Sequence, residues 1–203
     1  MKPARQQTDD ELLTDLRRGD EAAFLSLYHR RQAALYRFAM HMSGSASVAE
    51  DVTQEVFMAL LRAECGYNPD RGTLSGYLFG IARKLVLRQL ERGRGDVALD
   101  ALPDVGAALE FAANDDLLED LTRREGIDSL RRAVGALPRR YREVVALCDL
   151  EELDYADAAE ALGCPIGTVR SRLHRARALL LEKLDQERRP RPLGALNPAR
   201  MTI

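Results

Sequence analysis

The sharpest chemistry in the chain lies in one short stretch, Pro165-Ile-Gly-Thr-Val-Arg-Ser-Arg-Leu-His-Arg-Ala-Arg177. At helical spacing Ile166, Val169, Leu173 and Ala176 share one side. Thr168, Arg170, Ser171, His174, Arg175 and, lower down, Arg177 remain for the polar side. No carboxylate occurs between Pro165 and Leu181, so nothing on the segment itself neutralises the arginines. Arg reads guanine bidentately or grips phosphate, and a Ser hydroxyl can do either. The bland reading is a solvated basic helix face. What precedes the stretch favours DNA: Asp154 to Leu162 spells a helix, Gly163 suits a left-handed residue that ends it, and Pro165 opens the next helix without losing a hydrogen bond. Two helices joined by so tight a turn read as a helix-turn-helix, whose second helix enters the major groove.

A second basic element runs from Thr73 to about Gly93. It holds Arg83, Lys84, Arg88, Arg92 and Arg94 against Glu91 alone. Tyr67, Tyr77 and Phe79 lie in or beside the turn-rich segment Gly66-Tyr-Asn-Pro-Asp-Arg-Gly72 that precedes it. Aromatic rings beside Lys and Arg suit stacking on unpaired bases, although such rings are also ordinary core residues. A third group, Asp51, Gln54 and Glu55, falls off the apolar stripe Val48, Val52, Val56, Ala59 and Leu60 and faces outward together. It suits a basic partner helix, or is simply a solvated face.

Other chemistries find no footing. Cys65, Cys148 and Cys164 are far apart with no CxxC, and His29, His41 and His174 stand at no metal spacing, so neither a disulfide scaffold nor a metal site is expected. There is no Ser/His/Asp order, no Gly-rich phosphate loop and no polar pair placed for acid-base work. The expectation is a protein that is not an enzyme and needs no cofactor. No apolar run approaches the roughly 20 residues of a membrane span. Met1 to Asp10 lacks a signal-peptide core, so a cytoplasmic protein without membrane insertion is expected.

The elements that must position these groups are all helical. Thr8 with Glu11 forms a capping-box pattern before Leu12, Leu13 and Leu16, and Gly19 ends that helix. Asp20 caps a second, whose apolar spacing runs through Phe24, Leu27, Leu35, Phe38 and Met42 to Gly44. Ser47 with Glu50 repeats the capping pattern for a third, and Leu74, Leu78, Ile81, Leu85 and Leu90 space a fourth. Beyond them Leu130 to Ala136, Pro138 to Leu147, Leu153 to Leu162 and Pro165 to Leu184 form a second helical block, and no strand alternation competes.

Charge divides the chain. Lys plus Arg total 30 against 32 for Asp plus Glu, a net charge of −2, which argues against a free-standing, high-affinity nucleic-acid binder. Residues 1–95 carry 14 basic and 12 acidic groups, 96–126 carry 2 and 9, 127–185 carry 10 and 10, and 186–203 carry 4 and 1. The expected architecture is all-α: two small helical domains, 1–95 and 127–185, the second with the helix-turn-helix, joined by an acidic linker over 96–126. The Arg- and Pro-containing segment 186–203 reads as a disordered tail.

Four motifs in order then invite a name: Ala49-Glu-Asp-Val-Thr-Gln-Glu-Val-Phe57, Tyr77-Leu-Phe-Gly-Ile-Ala-Arg83, Ala136-Leu-Pro-Arg-Arg-Tyr-Arg-Glu-Val144 and Gly167-Thr-Val-Arg-Ser-Arg-Leu-His-Arg-Ala-Arg177. Over about residues 9–185 the chain resembles bacterial extracytoplasmic-function (ECF) sigma factors, within the sigma-70 superfamily. The resemblance implies a promoter-recognition subunit of RNA polymerase built from regions two and four, under anti-sigma control. It implies that Asp51, Gln54 and Glu55 meet core RNA polymerase, at the clamp helices of its largest subunit. It implies that Tyr67, Asn68, Arg71, Thr73, Tyr77, Arg83, Lys84 and Arg88 hold the melted minus-ten strand of promoter DNA. Thr168, Arg170, Ser171, His174, Arg175 and Arg177 would then serve the minus-thirty-five element. Tyr77 stands where the family commonly has Trp, Lys84 where Asn is usual, and Ala158 where a larger aliphatic is common. A stand-alone helix-turn-helix repressor or response-regulator output domain is the main alternative, and it leaves residues 9–94 unexplained. An adaptor that binds only proteins is a third.

Overall fold

Several helices begin where a side chain satisfies their orphan amides. The computed structural model describes residues 7–62, 66–96 and 117–188, the side chains of 93–96, 117–125 and 187–188 excepted. Helix α1 (Asp9–Arg17) opens on the complete Thr8/Glu11 capping box, and α2 (Glu21–Ser43) opens on Asp20 and closes at Gly44, which is left-handed at φ 70°. Helix α3 (Ala46–Leu61) is capped by Ser45, two residues earlier than the Ser47/Glu50 pattern predicts. Ser47 lies inside the first turn, its hydroxyl 3.0 Å from that of Ser45. Helix α4 (Leu74–Asp96) follows Thr73, whose hydroxyl accepts from the Gly76 amide at 3.2 Å.

The second block starts with α5 (Leu117–Gly135), so the helix begins well before Leu130 and takes in the last ten residues of the acidic segment. Helix α6 (Arg139–Val145) widens into a π turn over Ala146–Leu150. Helix α7 (Tyr155–Leu162) is capped by Asp154 and ended by Gly163 at φ 63°, as expected. Helix α8 (Ile166–Arg188) starts one residue after Pro165, whose carbonyl takes the Thr168 amide at 2.8 Å, and runs through Arg188. The first three residues of the predicted tail are thus helical; 189–203, like 97–116 of the linker, lie outside the described residues.

Among the described residues there is no strand. Leu27, Phe38, Val52, Val56, Leu78 and Val86 seal the core of the first unit, and Leu137, Val144, Leu147, Val169, Leu173 and Ala176 that of the second. Each Val, Leu or Phe among them contributes about 1.5–3 kcal/mol by leaving water, Ala176 less. The two cores merge, because α7 packs on α4 and α2 meets α5, α6 and the π turn. Partly buried polar contacts pin that junction. Arg37 on α2 holds Glu151, which follows the π turn, at 2.6 and 3.0 Å. Arg142 donates to the carbonyls of Met42 and Leu137 at 3.2 Å each and also to that of Gly135.

Candidate nucleic-acid interface

The helix-turn-helix forms as its sequence dictates. Ala158, Ala161 and Leu162 of α7 and Val169, Leu173 and Ala176 of α8 are buried, which fixes the angle between the helices and turns the polar side of α8 outward. Arg170, Ser171, His174, Arg175 and Arg177 are exposed and Thr168 is half-buried. Neighbours tune them unequally. The Arg170 guanidinium lies 5.8 Å from the ring centre of Tyr155, and Ser171 donates to the Thr168 carbonyl at 3.1 Å. Arg175 bonds the Tyr141 hydroxyl and thereby pulls that phenol below its usual titration range. Arg177 is held by Asp149 at 2.5 and 3.1 Å, and that carboxylate raises its affinity for its proton. The distal arginine is therefore more committed to the fold than Arg170 is.

On the first unit, Tyr67, Asn68, Arg71, Thr73, Tyr77 and Lys84 line one cavity of about 330 Å³. The Tyr67 and Tyr77 rings sit 5.6 Å apart, and the Tyr67 hydroxyl donates to Asp10 at 2.6 Å. Burial, then that hydrogen bond, keep the phenol protonated far above its ordinary range. Lys84 is exposed on α4, whereas Phe79 is a core residue stacked edge-on to Phe38 at 5.5 Å. Arg88 turns to Glu55 at 2.9 Å. Arg83, expected to track phosphates, is half-buried and lies 3.3 Å from the buried Glu143 of α6.

The cavity also has two walls that no local pattern signals, Glu160 and Ala161 of α7. Beside them Asp157 accepts from the Thr73 amide at 3.0 Å and from its hydroxyl at 2.5 Å, and Glu160 pairs with Arg71 at 3.0 Å. Asp157, Glu160, Glu143 and Asp149 all bond residues far away in sequence. A capping Asp154 with a second acid three residues on was the only local hint, and it points to the helix's own start.

Asp51, Gln54 and Glu55 are exposed together on α3 as the stripe predicts. Gln54 shares a groove of about 360 Å³ between α2 and α3 with Tyr28, Gln32, Tyr36, Arg37 and Glu50. Among the described residues no group of three or more His, Cys, Asp or Glu could hold a metal, and no helix is long and apolar enough to cross a membrane.

Two units, one with a basic helix flanking the cavity and one with a helix-turn-helix, define the class. Residues 27–95 match the family model described as sigma-70 region 2, and residues 127–180 that of sigma-70, region 4. The RNA polymerase sigma-H factor of Pseudomonas aeruginosa is 30% identical over 193 residues, covering 91% of this chain and 96% of that one. The ECF RNA polymerase sigma-E factor of Escherichia coli is 30% identical over 90% of this chain and 97% of its own length. The ECF sigma factor SigE of Mycolicibacterium smegmatis is 38% identical over 82% of this chain, which spans 64% of that relative. Among solved structures, RpoE from Bartonella quintana, in complex with the anti-sigma factor NepR, superimposes with a TM-score of 0.64 at 26% identity, over 81% of this chain and 98% of that one. CnrH, in complex with the cytosolic domain of CnrY, gives 0.66 at 25% identity, over 89% and 99%. The chain belongs to the ECF family of RNA polymerase sigma factors.

Proposed function

We propose that this sigma factor binds core RNA polymerase through the outward face of α3, takes the melted minus-ten strand at the cavity beside α4, and reads the minus-thirty-five element with α8. The observation that carries the reading is the exposed polar face of α8 from Ile166 to Leu181, free of carboxylates and seated on a buried helix-turn-helix hinge. Arg170 and Ser171 head it near the helix start, where base edges are reached in this docking mode. The net charge of −2 fits a subunit whose polymerase partner supplies most phosphate contacts. A stand-alone repressor would leave the region 2 match over 27–95 without a role.

The chain acts as an initiation factor with no catalytic step of its own, in the cytoplasm where core polymerase works. One relative of known structure, RpoE, is a sigma factor in complex with the anti-sigma factor NepR, which supports anti-sigma control here as well. Run-off transcription with purified core enzyme on a randomised promoter library tests the reading. Initiation focused on a sequence class is expected; initiation no better than core alone would reject it.

A further inference from the structure

Helix α1 lies outside residues 27–95, the part of the first unit matched to sigma-70 region 2, yet it is bonded to a wall of the cavity beside α4. The Tyr67 hydroxyl donates to Asp10 Oδ1 at 2.6 Å, across 57 residues of sequence. An O–H that gives its hydrogen to a carboxylate makes a short, charge-assisted bond. The loop around Tyr67 offers its ring little else: Gly66, Asn68, Pro69, Asp70 and Arg71 are exposed. Asn68 takes the amides of Asp70 and Arg71 at 2.9 and 3.1 Å, bonds that shape the backbone of the turn. The Tyr67 ring lies 5.6 Å from that of Tyr77, their planes inclined at 50°, and both rings line the cavity.

We propose, resting on the reading of that cavity as a single-strand site, that Asp10 is a positioning residue for promoter recognition: its carboxylate holds the Tyr67 ring beside Tyr77, so that α1 sets the aromatic wall on which an unpaired base stacks. Asp10 stands on firm ground for this. The Thr8/Glu11 capping box fixes the first turn of α1, and Leu12 and Leu13 bury its inner face. The adjacent Asp9 pairs with Arg30 at 2.6 Å and with Arg31 Nε at 2.7 Å, and Arg31 reaches on to the Ser75 hydroxyl of α4 at 3.2 Å. Helix α1 is thus bound to α2 and to the start of α4 independently of Tyr67. Burial and then the Asp10 bond keep the phenol protonated, so the donor is present throughout the neutral range. A ring tethered at its hydroxyl has less rotational freedom to lose when a base stacks on it.

The test uses holoenzyme assembled from core RNA polymerase and the full chain, with core alone as the baseline. The probe is a fluorescein-labelled pool of random-sequence single-stranded 12-mers, because stacking on aromatic rings tolerates every base. Asp10 is exposed, so Asp10→Ala removes the tether while Thr8, Asp9 and Glu11 still start α1. Tyr67→Phe breaks the same bond from the other side and keeps the ring. Each should weaken binding about fivefold, the effect of one hydrogen bond at a partly exposed site. The two changes together should weaken it no more than either alone. In a Tyr67→Ala background, which lacks the ring, Asp10→Ala should have no further effect, whereas a merely structural role of α1 would persist there. Single variants that bind the pool like the wild type, or an Asp10→Ala loss that is the same with and without the Tyr67 ring, would overturn the role of Asp10 alone. A Tyr67→Ala holoenzyme that binds the pool like the wild type would instead remove the single-strand site, and the role of Asp10 with it.

Discussion

Glu151 grips the Arg37 guanidinium with both carboxylate oxygens, at 2.6 and 3.0 Å, across 114 residues of sequence. Its side chain is 1% exposed, and burial raises its pKa while Arg37 opposes that rise. A buried acid with a single cation partner makes an asymmetric pair. Arg37→Ala should destabilise the chain by about 1–3 kcal/mol, because it leaves a charge without a partner. Glu151→Gln, which removes the charge itself, should cost less. Urea denaturation of the two variants gives the comparison, and equal losses would show that Glu151 is not held as an anion.

Acid should loosen the same junction through His41. Burial first, then the nearby cations Arg131, Arg37 and Arg142, lower its pKa from 6.5 to about 4. The unfolded chain binds the proton more readily, so stability is complete above pH 6.5 and falls as pH drops towards 4. The loss should reach about 2–3 kcal/mol. Glu151, shifted upward, works in the opposite direction nearer its own range. Melting temperatures from pH 7.5 to 4.5 should drop more steeply in the wild type than in His41→Gln, and parallel curves would remove His41 as the cause.

On α8 the arginines should separate. Arg170→Ala should weaken use of a promoter that depends on its upstream element by about 1–3 kcal/mol in initiation. Arg177, tied to Asp149, should matter less for DNA. Its loss should cost stability of no more than about 1 kcal/mol, as exposed ion pairs do. Initiation from matched promoters with and without a minus-thirty-five element measures the difference; equal defects would mean that the Asp149 contact opens in the complex.

Asp51→Lys with Glu55→Lys should abolish capture of core polymerase in a pull-down while leaving the melting curve nearly unchanged. Both side chains are exposed, and Glu55 gives up a bond to Arg88 that is itself about half exposed. Undiminished capture would move the polymerase contact elsewhere.

Lys84→Asn should change which bases are preferred in the minus-ten element more than it changes total activity. An ammonium only donates, whereas an amide both donates and accepts. Sequencing transcripts from a randomised element, made with each holoenzyme, decides it: superimposable preferences would exclude Lys84 from base reading.

Local order was legible wherever one short segment fixes its own hydrogen bonds. Thr8, Asp20, Gly44 and Gly163 announce helix ends because each satisfies amides or carbonyls within four residues. Ser45 and Ser47 show the limit, since either spacing can cap and the backbone chooses. The start of α5 was missed because Leu117–Gly126 is rich in acids, and charge patterning reads as solvated linker whether or not it is helical. The π turn over Ala146–Leu150 and the left-handed Glu152, at φ 55°, have no signature in residue type. The outward positions of Asp51, Gln54, Glu55, Arg170 and His174 followed from periodicity alone. The partners of Thr73, Arg71, Arg83 and Arg177 did not, because a pairing between elements leaves no trace in local spacing.

Gly76 therefore carries two obligations on one hydrogen atom. The position lines the cavity and also receives the Asp157 side chain, so any larger residue there narrows the cavity and presses on α7 in the same stroke. The width of the cavity and the spacing of α4 from α7 cannot be adjusted independently at that point: a substitution that changes one changes the other.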